Sequence, residues 1–148
     1  MSEQKRIRVR GIILIDGKLV SMYREFDDRK FYTFPGGGLE GNESEEECVT
    51  REVLEEFGLN IKPIKKVYTY ENQRSIEHFY TCEYISGSFG TGEGEEFQNN
   101  TNKGFYKPTL LEIKDIEHLP LMPQEVAQAF LKDYIENGNL LRNDVKIV

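Results

Sequence analysis

One stretch of the chain, residues 36–59 (GGGLEGNESEEECVTREVLEEFGL), constrains the fold and the chemistry more than any other. It begins with three glycines and continues into a segment crowded with glutamates: Glu40, Glu43, Glu45, Glu46, Glu47, Glu52, Glu55 and Glu56. Like charges on neighbouring turns destabilise a helix, so stability alone does not favour this pattern. A hard divalent cation such as Mg²⁺ takes oxygen ligands, and binding one would account for the pattern.

The second half of this stretch has the periodicity of an amphipathic helix. Glu52, Glu55 and Glu56 fall on one arc, because residues three and four apart are neighbours on a helix. We expect this arc to face an open site. The opposite side is predicted to be buried and carries Val53, Leu54 and Phe57.

Both ends of the helix are marked in the sequence. Ser44 followed by Glu47 is a capping-box pattern, which predicts that the helix begins at Ser44. Gly58 is placed to end the helix in a left-handed cap.

The same residues resemble the signature of the Nudix hydrolases at all nine specified positions. These are Gly37, Glu43, Arg51, Glu52, Val53, Glu55, Glu56, Gly58 and Leu59. Chance matches of this length are rare at ordinary residue frequencies. Asn42 stands where many members of the family carry glycine, which affects only the expected shape of the loop.

The resemblance implies metal and catalytic roles for particular residues. Glu52, Glu55 and Glu56 match the family's metal ligands, assisted by the backbone carbonyl of Gly36. Arg51 matches the arginine that orients the adjacent carboxylates. The implied cofactor is Mg²⁺, with Mn²⁺ as a possible substitute.

Other residues are candidates for substrate binding and proton transfer. Gly37 and Gly38 let the backbone approach a ligand closely. Arg24 stands where relatives often place a phosphate contact, and the alternative for it is an exposed charge at the end of a strand. Glu43 matches a supporting position of the signature. Some members of the family use a further glutamate as general base. In this chain we favour Glu95 for that role, in the long loop of residues 87–104. The alternatives there are Glu93, Glu96 and a loop that only faces solvent.

The remaining chain predicts strands and one further helix around this segment. Asp16-Gly17 is a strong signal for a hairpin between the two strands of residues 6–25. Residues 63–70, 75–85 and 105–113 also have the composition of strands, and a helix follows Pro123. We therefore expect an α/β fold in which helices cover a mixed sheet, as the Nudix α/β/α sandwich has. Residues 1–148 are expected to form a single Nudix domain.

Composition excludes several classes of partner. A net charge of −7 argues against a nucleic-acid surface, and no apolar run reaches membrane-spanning length. Cys48 and Cys82 show neither a metal spacing nor a disulfide framework. We expect a cytoplasmic protein that is a monomer or a homodimer.

The implied reaction is Mg²⁺-dependent hydrolysis of the pyrophosphate bond in a nucleoside diphosphate linked to another group. The first hypothesis is that the small-molecule substrate is a (d)NTP, which would make the protein a (d)NTP pyrophosphohydrolase. The alternatives are ADP-ribose, a nucleotide sugar or a dinucleoside polyphosphate as substrate, because the signature handles the diphosphate and not the leaving group. A non-catalytic nucleotide-binding module is disfavoured, since the motif carboxylates are all present.

Overall fold

The computed structural model describes residues 4–90, 104–138 and 145–148. Within these ranges the chain forms helices α1 (Glu45–Phe57) and α2 (Gln124–Asn137) and a 3₁₀ helix (Ile113–His118). The strands are β1 (Arg6–Ile15), β2 (Lys18–Phe26), β3 (Arg29–Thr33), β4 (Gly36–Gly38), β5 (Asn60–Glu71), β6 (Ser75–Ser86), β7 (Phe105–Glu112), β8 (Leu121–Met122) and β9 (Lys146–Ile147).

Strand β1 joins two halves of a mixed sheet. It pairs in parallel with β6 and in antiparallel with β4, while β5 continues the sheet beyond β6 and β9 follows β5. β2 pairs with β1 only near the hairpin turn, where Leu14 lies opposite Leu19. The other half of the sheet is formed by β2 between β3 and β7, with β8 beside β3.

The predicted hairpin is confirmed at the turn between β1 and β2. Asp16 and Gly17 both have positive φ angles, 52° and 78°. Those angles match the right-handed twist of the flanking strands, as a primed turn does.

The two helices lie over opposite faces of the sheet and close two separate cores. On one side Val49, Val53 and Phe57 of α1 pack with Val9 and Ile13 of β1. The other core is formed by α2, β1, β6 and their neighbours, and includes Ile12, Leu19, Phe34, Phe79, Val126 and Phe130. This arrangement confirms the expected α/β/α sandwich with a mixed sheet. None of the helices in the described ranges is long and apolar enough to cross a membrane.

The predicted apolar face of α1 is partly wrong. Val53 and Phe57 are fully buried, but Leu54 is 47% exposed. The line of contact runs along Val49, Val53 and Phe57 at four-residue spacing, and Leu54 is rotated about 100° from that line. Its side chain therefore points away from the sheet.

Candidate active site

The glycine strand β4 pairs with β1, the central strand of the sheet. Gly36 has a φ of 142°, and a Cβ there would lie 2.1 Å from the carbonyl oxygen of Val9. A Cβ at Gly37 would lie 2.6 Å from the carboxyl carbon of Glu52. Glycine at these two positions therefore lets the strand and the Glu52 carboxylate come together.

Helix α1 is anchored at its first turn. The Glu47 N–H donates to Ser44 Oγ at 3.0 Å and the Ser44 N–H donates to Glu47 Oε1 at 2.8 Å, so the predicted capping box is confirmed. Glu45 accepts a hydrogen bond from the Tyr80 hydroxyl at 2.8 Å and pairs with Lys66 at 3.0 Å. These contacts tie the start of the helix to the sheet and set the direction of its acidic face.

The other end of α1 closes as the sequence predicts. Gly58 adopts a left-handed conformation with a φ of 72°, and its N–H donates to the Leu54 carbonyl oxygen. The helix is thereby ended one residue after Phe57.

Arg51 holds the carboxylates at the centre of this face. Its Nη2 and Nε contact the two Glu43 oxygens at 2.8 and 3.0 Å, and its Nη1 lies 3.0 Å from Glu52 Oε1. Glu55 lies 3.4 Å from Nη1 and is mostly exposed. The hydrogen bonds from Arg51 lower the pKa of Glu43 to about 2, and those carboxylates raise the pKa of Arg51. Arg51 therefore stays charged and fixes the orientation of Glu52.

Glu56 points toward the interior instead of facing solvent. Its Oε1 is buried and has no hydrogen-bond partner among the described residues. Burial, and then the charge of Glu52, raise the pKa of Glu56 to about 7, although Arg10, the Gly36 backbone and Arg24 act in the opposite direction. A buried carboxylate oxygen without a donor is costly unless a cation meets it.

The donor set fits a hard divalent cation, but it is not gathered as it stands. Across residues 4–90, 104–138 and 145–148, no three His, Cys, Asp or Glu side chains lie close enough to hold a metal ion. Glu52 lies against Gly37 and Glu56 is hydrogen-bonded to the Gly36 backbone, so both carboxylates adjoin the glycine strand. Their oxygen atoms are of the kind that Mg²⁺ prefers. Glu55 is turned toward Arg51 and would have to rotate inward to join them.

The structure places Arg24 and Gly38 near the site, whereas Glu95 is not among the described residues. The Arg24 guanidinium lies 4.4 Å from the centroid of the Tyr106 ring, and its charge acts on Glu56. Gly38 lies opposite Arg8 in the ladder between β1 and β4. Glu95, like Glu93 and Glu96, lies outside the described residues, so its assignment stays a prediction.

Sequence reasoning missed a set of arginines next to the glycine strand. These are Arg6, Arg8 and Arg10 on β1, together with the Glu77 partner of Arg10 on β6. Their alternate spacing in a predicted strand was the available signal, because alternate residues share one face. A cavity of about 300 Å³ adjoins this pair and is lined by Arg10, Thr33, Tyr70, Asn72, Glu77, Met122, Pro123, Gln124 and Glu125.

Both the sequence and the fold of the chain are similar to those of known proteins. A sequence profile of the NUDIX domain matches residues 5–126. Over 58 residues the chain is 34% identical to an RNA pyrophosphohydrolase of Pasteurella multocida (strain Pm70). That match covers 39% of this chain and 29% of the relative, so the chain matches less than a third of that protein's length.

Solved structures share the fold over nearly the whole chain. A NUDIX hydrolase from Nitrosomonas europaea has a TM-score of 0.76 at 15% identity, covering 100% of this chain and 81% of that chain. An ADP-ribose pyrophosphatase from Streptococcus suis 89-1591 has a TM-score of 0.68 at 18% identity, covering 97% and 98%. At such identities the likeness concerns the architecture alone.

Proposed function

The chain belongs to the Nudix family, and from that premise we propose that it is a Mg²⁺-dependent hydrolase that cleaves a pyrophosphate bond in a nucleoside diphosphate derivative. The observation that carries the proposal is Glu56, a carboxylate with a buried oxygen that finds no hydrogen-bond partner in the described part of the chain, lying beside Glu52 and the glycine strand. A bound cation would complete this arrangement, and a polyphosphate cannot dock against carboxylates without one.

The metal ligands under this proposal are Glu52, Glu55 and Glu56 with the Gly36 carbonyl oxygen. When bound, the ion would neutralise charge on the phosphates and lower the pKa of a water molecule. Mn²⁺ offers similar oxygen coordination and is the proposed substitute.

The chain's own residues position the reaction around those ligands. Arg51 holds Glu52 through the 3.0 Å contact and is itself held by Glu43, so the carboxylate reaches the site in one orientation. Gly37 lets the Glu52 carboxylate lie against the glycine strand, because a Cβ there would lie 2.6 Å from the Glu52 carboxyl carbon. Arg24 on β2 acts on Glu56 through its positive charge, and a phosphate oxygen bound there can accept its N–H groups. Phosphoryl and nucleotidyl transfers depend mainly on such positioning and electrostatics.

The first candidate substrate is a (d)NTP, cleaved to a nucleotide and a phosphate or pyrophosphate product. ADP-ribose, nucleotide sugars and dinucleoside polyphosphates are competing candidates. The relatives named above bear the names of an RNA pyrophosphohydrolase and an ADP-ribose pyrophosphatase, so both kinds of compound belong in the test.

A product-release screen tests the proposal. Purified protein is incubated with each candidate compound and a short 5′-triphosphorylated RNA, in Mg²⁺, in Mn²⁺ and in a chelator. We expect turnover of at least one compound that requires metal and falls by about 100-fold or more in Glu56→Gln. Glu46→Gln is the matched control, because Glu46 is an exposed glutamate on the same helix.

Two results would overturn the proposal. The first is tight nucleotide binding without hydrolysis, which would indicate a binding module. The second is turnover in Glu56→Gln equal to that of the control variant.

A further inference from the structure

A row of arginines runs along β1 next to the glycine strand. Arg6, Arg8 and Arg10 alternate with Ile7 and Val9 and so share the face of the strand opposite the α1 core. In the ladder with β4, Arg8 lies opposite Gly38 and Arg10 lies opposite Gly36. A Cβ at Gly38 would lie 2.4 Å from Arg6 Nη2, so the absence of a side chain there makes room for the Arg6 guanidinium.

Only one member of this row is neutralised within the described part of the chain. Arg10 Nε lies 2.9 Å from Glu77 Oε1, with both side chains largely buried, and Arg10 Nη1 donates to the Phe34 carbonyl oxygen at 3.0 Å. Arg6 and Arg8 have no ion-pair partner among the same residues. Arg24, from β2, contacts the face of the Tyr106 ring at 4.4 Å and likewise lacks a carboxylate there.

The positive charges of these guanidinium groups act on one another. Burial lowers the pKa of Arg8, and the charges of Arg10, Arg6 and Arg24 lower it further, whereas Glu77 raises it. The charges of Arg10 and Arg24 also lower the pKa of Glu56, so the arginine row and the carboxylate site interact electrostatically. Repulsion among unneutralised guanidiniums is unfavourable unless an anion binds between them.

On the premise of the proposed function, we propose that Arg8, flanked by Arg6 and Arg24, binds a phosphate group beyond the diphosphate that is cleaved. The substrate class is then a compound with three or more consecutive phosphates, such as a nucleoside triphosphate. Compounds with a single diphosphate bridge, such as ADP-ribose, would leave Arg8 without a partner. Same-face residues on a strand are about 7 Å apart, so successive arginines can meet different phosphates. The planar fork of arginine also suits paired phosphate oxygens.

Binding of non-hydrolysable analogues tests this assignment apart from turnover. Calorimetry in excess Mg²⁺ compares a methylene-bridged analogue with three phosphorus atoms against one with two. The wild-type protein should bind the longer analogue about 10-fold tighter or more, and Arg8→Met should lose about 10- to 100-fold for the longer analogue alone. Arg8→Lys keeps the positive charge but lacks the planar guanidinium. Its affinity for the longer analogue should lie between those of the wild type and Arg8→Met.

Lys132→Met is the control, because Lys132 is exposed on α2 and its loss removes the same unit of charge. It should change the two affinities equally and by less than about threefold. Thermal melting checks that each variant is folded. If Arg8→Met does not fold, Arg8→Lys is used in its place. Equal affinity of wild type for both analogues, or an equal loss for both in the Arg8 variants, would overturn the assignment.

The outcome is separable from that of the hydrolysis screen. Length-dependent binding that requires Arg8 would stand even if no compound were hydrolysed, and the proposed function alone would then fail. Hydrolysis of ADP-ribose with full dependence on Glu56, but without effect of Arg8, would keep the function and refute the role of Arg8.

Discussion

Replacing Glu56 by glutamine should stabilise the metal-free protein above neutral pH. Glu56 Oε1 is buried without a hydrogen-bond partner in the described structure, and burial with the nearby Glu52 charge raises the pKa to about 7. An ionised carboxylate in that setting opposes folding. Glutamine fills the same volume without the charge, so the variant should lose activity and gain stability together.

The sign and size follow from the two pKa values. The pKa is about 7 in the folded protein against 4.5 for the free side chain, so the folded state holds the proton more tightly. The resulting stability is complete below the lower value and is lost as pH rises through the higher one. The loss is about 1 kcal/mol near pH 5 and about 3 kcal/mol near pH 8. The advantage of Glu56→Gln should therefore grow by about 2 kcal/mol between those conditions.

Urea denaturation in a chelator measures this difference directly. Wild type, Glu56→Gln and the control Glu46→Gln are unfolded at both pH values, and the free energies of unfolding are compared. Addition of Mg²⁺ should then stabilise the wild type more than Glu56→Gln, because the ion binds the carboxylate that glutamine lacks. A Glu56→Gln protein that is less stable than wild type by the same amount at both pH values would refute the reasoning.

Three further substitutions probe other contacts of the site. Phe57→Ala should lower the free energy of unfolding by roughly 3–5 kcal/mol in urea, because the ring lies fully buried on the inner face of α1. Gly37→Ala should lower kcat by about 10-fold or more in steady-state assays, since the new Cβ would lie 2.6 Å from the Glu52 carboxyl carbon and displace it. Ser44→Ala should cost about 1 kcal/mol in thermal melts through loss of the hydrogen bond from the Glu47 N–H.

Each of these substitutions has a result that would count against it. A free energy of unfolding of Phe57→Ala equal to that of wild type would place that ring outside the core. Full activity of Gly37→Ala would mean that activity does not depend on the position of Glu52 against the glycine strand. A Ser44→Ala protein as stable as Ser44→Thr, which keeps the hydroxyl, would show that the cap contributes nothing.

Local signals in the sequence predicted much of the fold. The Asp16-Gly17 turn, the Ser44–Glu47 capping box and the Gly58 cap are decided by neighbouring residues, and all three are confirmed. The family was readable for the same reason, because its signature is contiguous. The membership and the sandwich fold are confirmed as well.

What the sequence did not predict depends on contacts between distant segments. The expected acidic arc does not show that Glu56 points inward while Glu55 turns to Arg51. The pairing of Arg10 with Glu77 joins strands far apart in the chain. A helical wheel also cannot show which of Val53 and Leu54 the sheet covers, since that depends on the angle at which the helix docks.

The alternation along β1 ties the charge of the site to the stability of the protein. Val9 and Ile13 fill the α1 core from one face, while the arginines occupy the other face of the same strand. Inserting or deleting one residue between Arg6 and Gly11 would exchange the two faces over the displaced part of the strand. Guanidinium groups would then enter an apolar interior, and apolar side chains would take their place beside the glycine strand. Turns outside the sheet carry no such constraint on their length, whereas a one-residue shift of this strand would disturb the core and the charged face together.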